Sequence, residues 1–171
     1  MKRTELIIEN TWDGQAIPPI EQTTLSLALS EDALSVRIDA PFHGDPAPPE
    51  APGPRDGLWE FEVVELFLLG TAAHYLELEF GPFGHHLALQ LEGRRRVVER
   101  ELSLVYHCKR QGGRWTGSAR IPAAYLPEGL HACNAYAIHG VEEARRYLAV
   151  HPVPGPTPDF HRLECFAPLP W

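Results

Sequence analysis

The chain has 171 residues, 44% of them hydrophobic, and carries 23 acidic against 15 basic side chains, a formal charge of −8. That length suits one domain with a sizeable core. The negative balance argues against a nucleic-acid backbone or an anionic membrane as the main partner, because both require positive potential.

The chain opens on MKRTELIIENTWDG, whose three-residue apolar run is too short for a signal sequence. Nowhere do the roughly 20 apolar residues of a membrane span run together. Beyond the first residues, short segments alternate apolar and polar side chains with period two between Gly, Pro, Asp or Ser breaks, the pattern of strands. Strands are predicted at 5–9, 24–29 and 33–39. The proline-rich stretch at 41–57, PFHGDPAPPEAPGPRDG, lacks ladder donors and reads as a loop crossing between sheets and framing a site. Further strands are predicted at 62–69, 75–80, 86–92, 97–101, 104–110, 115–121, 134–139 and 147–150. Helical signal is confined to 123–126 and 141–145, and a second proline-rich loop, HPVPGPTPDF, fills 151–160. So many strands without an amphipathic helix predict an all-β fold, a single antiparallel β-sandwich domain over 1–171. Arg94 to Arg96, after Gly93, read as a solvated turn. Cys108, Cys133 and Cys165 are odd in number, far apart and without a C-x-x-C pair, so neither a disulfide framework nor a zinc knuckle is expected. The cytoplasm is the expected compartment.

One segment needs a chemical explanation. In LWEFEVVELFLL the residues Phe61, Val63, Glu65, Phe67 and Leu69 share one strand face. A buried unpaired carboxylate costs several kcal/mol or takes up a proton, so Glu65 must be solvated, paired or facing a ligand. If the loop 70–74 pairs Leu69 with Tyr75, then Glu65 lies opposite Glu79 and Phe67 opposite Glu77. If the GPFG turn at 81–84 pairs Phe80 with His85, then Glu79 lies opposite His86. One row across three strands then reads Glu65, Glu79, His86. In this register Leu87, Leu89 and Leu91 join Val64, Leu66, Leu68, Leu76, Leu78 and Phe80 on the core face, and the row lies on a wet outer face.

Carboxylates accept hydroxyl donors and aromatic rings stack on C–H faces, so such a face suits a small polyol or saccharide. Trp59 would stack, Glu65 and Glu79 would accept, and His86 would donate, with Glu77, Tyr75 and Asn134 as further contacts. The same row allows an oxygen-rich metal set with one imidazole, or a hydrolytic carboxylate pair of Glu65 and Glu79. No nucleophile elbow, Gly-rich phosphate loop or His-Glu metal helix accompanies it. No catalytic residue and no cofactor are therefore predicted, and the sequence fixes neither a metal ligand nor an oligomeric state. A scaffold whose exposed aromatics meet another protein is a further alternative. Trp12 and Trp115 read as structural, and Asn134, His139, Asp159 and His161 as polar residues more often satisfied locally than by a ligand.

The segments TWDG, APFHGDPAPP, LWEFEVVELFLL, YLELEFGPFGHHLALQLEGRR, NAYAIHG and PDFHRLECF resemble successive blocks of an uncharacterised family known from vertebrates and bacteria, one without an assigned activity. More distantly the chain is similar to family 9 carbohydrate-binding modules and to DOMON-like sandwiches, in which a Trp leads a strand and a Glu follows six residues later, as Trp59 and Glu65 do here. That similarity implies a jelly-roll sandwich in which Trp59 stacks on a sugar ring and Glu65 accepts from its hydroxyls. It also implies a basic donor at His86 and a second stacking aromatic, for which Trp171 is the candidate. A haem- or metal-binding role comes with the DOMON-like branch of the resemblance.

Overall fold

The alternation resolves into two antiparallel sheets in the computed structural model, which describes residues 1–100 and 102–171. The strands are β1 (Lys2–Ile8), β2 (Asn10–Thr11), β3 (Thr23–Leu29), β4 (Ala33–Pro41), β5 (Val63–Leu69), β6 (His74–Phe80) and β7 (His86–Glu92). They continue as β8 (Val97–Glu99), β9 (Val105–Gln111), β10 (Arg114–Pro122), β11 (Ala132–His139), β12 (Arg146–Ala149) and β13 (Ala167–Pro168). One sheet runs β1-β3-β4-β10-β9 and the other β2-β12-β11-β5-β6-β7-β8, with β13 pairing on β11. The strand predicted at 97–101 is observed as Val97–Glu99, and Glu101 lies outside the described residues. The two helical segments are single 3-10 turns, Ala123–Tyr125 and Glu142–Ala144. Among the described residues no helix is long and apolar enough to cross a membrane.

The two sheets differ in what covers them. On the first, burial alternates along β10 and, from Leu34 onward, along β4, as expected when one face meets the core and the other water. On the second, β5, β6 and β11 are buried almost throughout, so both faces of the central strands are covered. Between the sheets lies a core of Leu25, Leu34, Ile38, Val64, Leu66, Leu78, Phe80, Trp115 and their neighbours. A second core forms on the outer face of the second sheet, where Phe67, Tyr75, Leu87, Leu89, Leu91, Tyr136 and Ile138 are covered by Leu58, Val153 and Phe160. Each such side chain removed from water contributes about 2 kcal/mol, enough to hold an irregular segment onto a sheet.

The first hairpin has the predicted register, with Leu69 opposite Tyr75, Phe67 opposite Glu77 and Glu65 opposite Glu79. The second is one residue out. Phe80 pairs with His86, not His85, so Glu79 faces Leu87 and Glu77 faces Leu89. The connection is a five-residue loop, closed by the Gly81 amide donating to the His85 carbonyl at 2.9 Å. Because side chains alternate strictly, this slip moves the whole of β7 to its other face. Leu87, Leu89 and Leu91 join the acids on the outer face, and His86 turns in toward the ring of Tyr106, 5.8 Å away.

Candidate functional site

Four strands place one row on the outer face: Tyr136, Glu65, Glu79 and Leu87. The neighbouring row is Asn134, Phe67, Glu77 and Leu89. Three carboxyls thus meet on a face that is not wet. Glu65 and Glu77 are 2% and 4% exposed, and Glu79 is fully buried.

Glu65 and Glu77 open onto a cavity of about 320 Å³, at the low end of the ~300–1,000 Å³ typical of small-molecule sites. Leu89, Leu91 and Ile138 complete its floor, while Phe160 and His161 from the overlying segment and Tyr147 of β12 form walls. Trp59 stands at its edge on the 3-10 turn Leu58–Glu60, and Arg95, Val97 and Arg100 come from the β7–β8 hairpin and the residues after it. At 43% exposure Trp59 is the largest side chain among the exposed hydrophobic residues described. Its backbone is fixed by Arg145, whose guanidinium donates to the Trp59 carbonyl and, at 3.0 Å, to that of Gly140.

The acids are held under charge stress. Burial, then the charge of Glu77, push Glu65 well above the usual carboxylate range, with Arg145 opposing. Burial, then the charges of Glu65 and Glu77, do the same to Glu79. Glu77 is pushed up to about 7, chiefly by burial, against a contact with Glu79 and the positive charge of Arg95. Buried acids whose pKa values are all raised favour the protonated carboxyl, so the cluster does not carry its full charge. Were all ionised, Oε2 of Glu77 and both oxygens of Glu79 would have no donor among the described residues.

His161 completes this network. The Tyr75 hydroxyl accepts from the Arg95 amide at 3.0 Å, and its own hydrogen is thereby assigned to Nδ1 of His161, 2.7 Å away. The ring is neutral, its pKa lowered to about 4 by burial and then by Arg95 and Arg94. Nε2 therefore carries the ring hydrogen and faces Oε2 of Glu77 at 3.8 Å, a polar contact and not an ion pair. That gap leaves the donor free for a ligand oxygen.

Of the residues expected to meet a ligand, Trp59, Glu65 and Glu77 line the cavity. Glu79 lies behind them, sealed from it. His86 is on the opposite face for the register reason above, so it cannot donate here or complete a metal set with Glu65 and Glu79. Among the described residues no group of three His, Cys, Asp or Glu is placed to hold a metal ion. Tyr75 acts through His161, and Asn134 bonds the backbone of His151, at 2.8 Å as donor and 3.0 Å as acceptor, so it fastens a loop. Trp171 packs against the inner core, away from the cavity. Tyr147, Phe160, His161, Arg95 and Arg100 were not expected at the site. His161 reads from the sequence as a locally satisfied polar residue, and nothing local says that 151–166 folds back over β5 and β6.

A solved structure from Bacteroides uniformis, provisionally described as a carbohydrate-binding protein, superposes with a TM-score of 0.73 at 15% identity, covering 98% of this chain and 85% of that one. It establishes the sandwich fold. A family 9 carbohydrate-binding module from Caldicellulosiruptor kristjanssonii, solved with cellotriose, reaches a TM-score of 0.49 at 13% identity over 86% of this chain and 72% of its own. No family model matches the chain. Sequence relatives are closer. The mouse UPF0462 protein C4orf33 homolog is 42% identical over 95% of this chain and 88% of its own length. The zebrafish homolog is 39% identical over 95% and 86%, and the human protein 42% identical over 93% and 84%. At that identity over nearly the full length, the chain belongs to the UPF0462 family.

Proposed function

We propose that the chain binds a small polyol or one saccharide residue in the cavity on the outer face of its second sheet, without transforming it. The observation that carries this reading is that an exposed indole, Trp59, shares a cavity of about 320 Å³ with two buried carboxyls, Glu65 and Glu77. Trp59 stacks on a ring face, Glu65 and Glu77 take hydroxyl hydrogen bonds, and Nε2 of His161 donates. The provisional carbohydrate-binding description of the Bacteroides uniformis protein, which shares the fold, is in keeping with it.

The cavity is open on one side and buries only part of a ligand, so millimolar to micromolar affinity is expected. Calorimetry of Trp59→Ala against mono- and disaccharides tests this. Binding by the parent and none by the variant is the expected result, and equal affinity removes the site.

A second reading is favoured by the pairing of Glu65 with Glu77 in one cavity, the latter titrating near neutrality. A group with such a pKa is suited to proton transfer on a bound sugar. Glu79, sealed from the cavity, has no part in it. Turnover of a saccharide that is lost in both Glu65→Gln and Glu77→Gln would favour this reading over simple binding.

A further inference from the structure

The cavity holds carboxyl groups that the protein pairs with no cation among the described residues. The arginines around it are already engaged: Arg95 by Asp159 at 2.7 Å, Arg94 by the same carboxylate, and Arg100 by Asp56 at 3.4 Å. Arg145 donates to the carbonyls of Gly140 and Trp59. No Arg or Lys among the described residues forms an ion pair with Glu65, Glu77 or Glu79, and Glu77 has only the neutral His161 across 3.8 Å. The ionisable groups that act on the Glu65 and Glu77 carboxyls are thus Glu79, Tyr136, His161, Arg95, Arg145 and Asp56, and the two arginines among them are engaged elsewhere. Oε2 of Glu77 is buried, without a donor among the described residues, and belongs to a side chain that lines the cavity.

A neutral polyol supplies hydroxyl donors but leaves the carboxyls without a cation. An ammonium supplies three N–H donors and the missing positive charge together. The aromatic rings of Trp59, Tyr147 and Phe160, which line the same cavity, also favour a cation over their faces. We propose that the natural occupant is an aminated polyol, such as an amino sugar, whose ammonium group sits between Glu65 and Glu77 while its ring lies against Trp59. This rests on the saccharide reading and narrows it. The binding step is balanced: the carboxyl cluster gives up a proton to the buffer as the ammonium enters, and a carboxylate–ammonium pair replaces a carboxylic acid.

The test is calorimetry at pH 7 with D-glucosamine, N-acetyl-D-glucosamine and D-glucose, each in phosphate and in HEPES, buffers of different ionisation heat. Glucosamine should bind about tenfold or more tightly than the two uncharged sugars. Its heat should differ between the buffers by the release of up to about one proton. Glu77→Gln should reduce glucosamine to the affinity of glucose and abolish the buffer dependence, with Glu65→Gln as the second variant should that one not fold. Equal affinity for charged and uncharged sugars, or heats independent of buffer, overturns the ammonium while leaving the saccharide reading intact. Binding of none of the three counts against both.

Discussion

Glu77 exposes the conflict between fold and function in a single side chain. Burial raises its carboxyl from 4.5 to about 7, so the folded protein binds its proton more tightly than the unfolded chain does. The stability it contributes is complete below pH 4.5 and is lost as pH rises through about 7. A shift of that size corresponds to roughly 3 kcal/mol. Glutamine keeps the shape and the hydrogen bonding but cannot ionise. Glu77→Gln is therefore expected to leave stability nearly unchanged at pH 4 and to raise it by up to about 3 kcal/mol at pH 8, read from urea unfolding at both values. A difference that does not depend on pH would mean that the carboxyl is not protonated in the folded protein. His161 works in the opposite direction: held neutral, with a pKa near 4, it weakens the fold as pH falls from 6.5 toward 4.

Among the elements, the segment over the outer face is fastened at its start by one side chain. Asn134 of β11 donates to the His151 carbonyl and accepts from its amide, so a single side chain satisfies two backbone groups at the start of the loop that carries Phe160 and His161. Asn134→Leu leaves both without partners and should cost about 2–3 kcal/mol. It should also weaken saccharide binding, although Asn134 does not line the cavity. Hydrogen exchange provides the check: faster exchange over 151–161 is expected, and exchange unchanged there would show that the loop's other contacts hold it without Asn134.

The same element explains what could be read from the sequence. Strand positions and the β5–β6 register were legible because period two and a hairpin pairing Leu69 with Tyr75 fix both. The β6–β7 register was not, because the GPFG turn keeps His85 in the loop, where its ring meets the Glu50 carbonyl at 3.0 Å, a contact 35 residues distant in sequence. Leu87, Leu89 and Leu91 read equally well as inner or outer core, since apolar alternation does not say which face is covered. Trp59, Glu65 and Glu77, grouped from the sequence, line one cavity, whereas Phe160 and His161 join them only because of where a proline-rich loop lands.

At the scale of the whole molecule, the central strands serve two cores at once. Val64 and Leu66 of β5 face the inner core, and Val63 and Phe67 of the same strand face the outer one. Losing the outer layer therefore exposes one face of the sheet on which the inner core is built, and the two layers should unfold together. Phe160 is the side chain on which this can be tested: it lies 3.8 Å from Tyr136 with the rings parallel to within 5°, and is 8% exposed. Phe160→Ala should cost about 3–5 kcal/mol, the usual loss for a buried aromatic. Trp59→Ala, at a half-exposed ring, should cost far less while abolishing saccharide binding. The chemical denaturation curve of Phe160→Ala should keep a single transition, shifted to lower denaturant, with fluorescence and circular dichroism coinciding. A separate early phase in fluorescence would mean that the outer layer is an independent cover, and that the cavity can open without unfolding the sandwich beneath it.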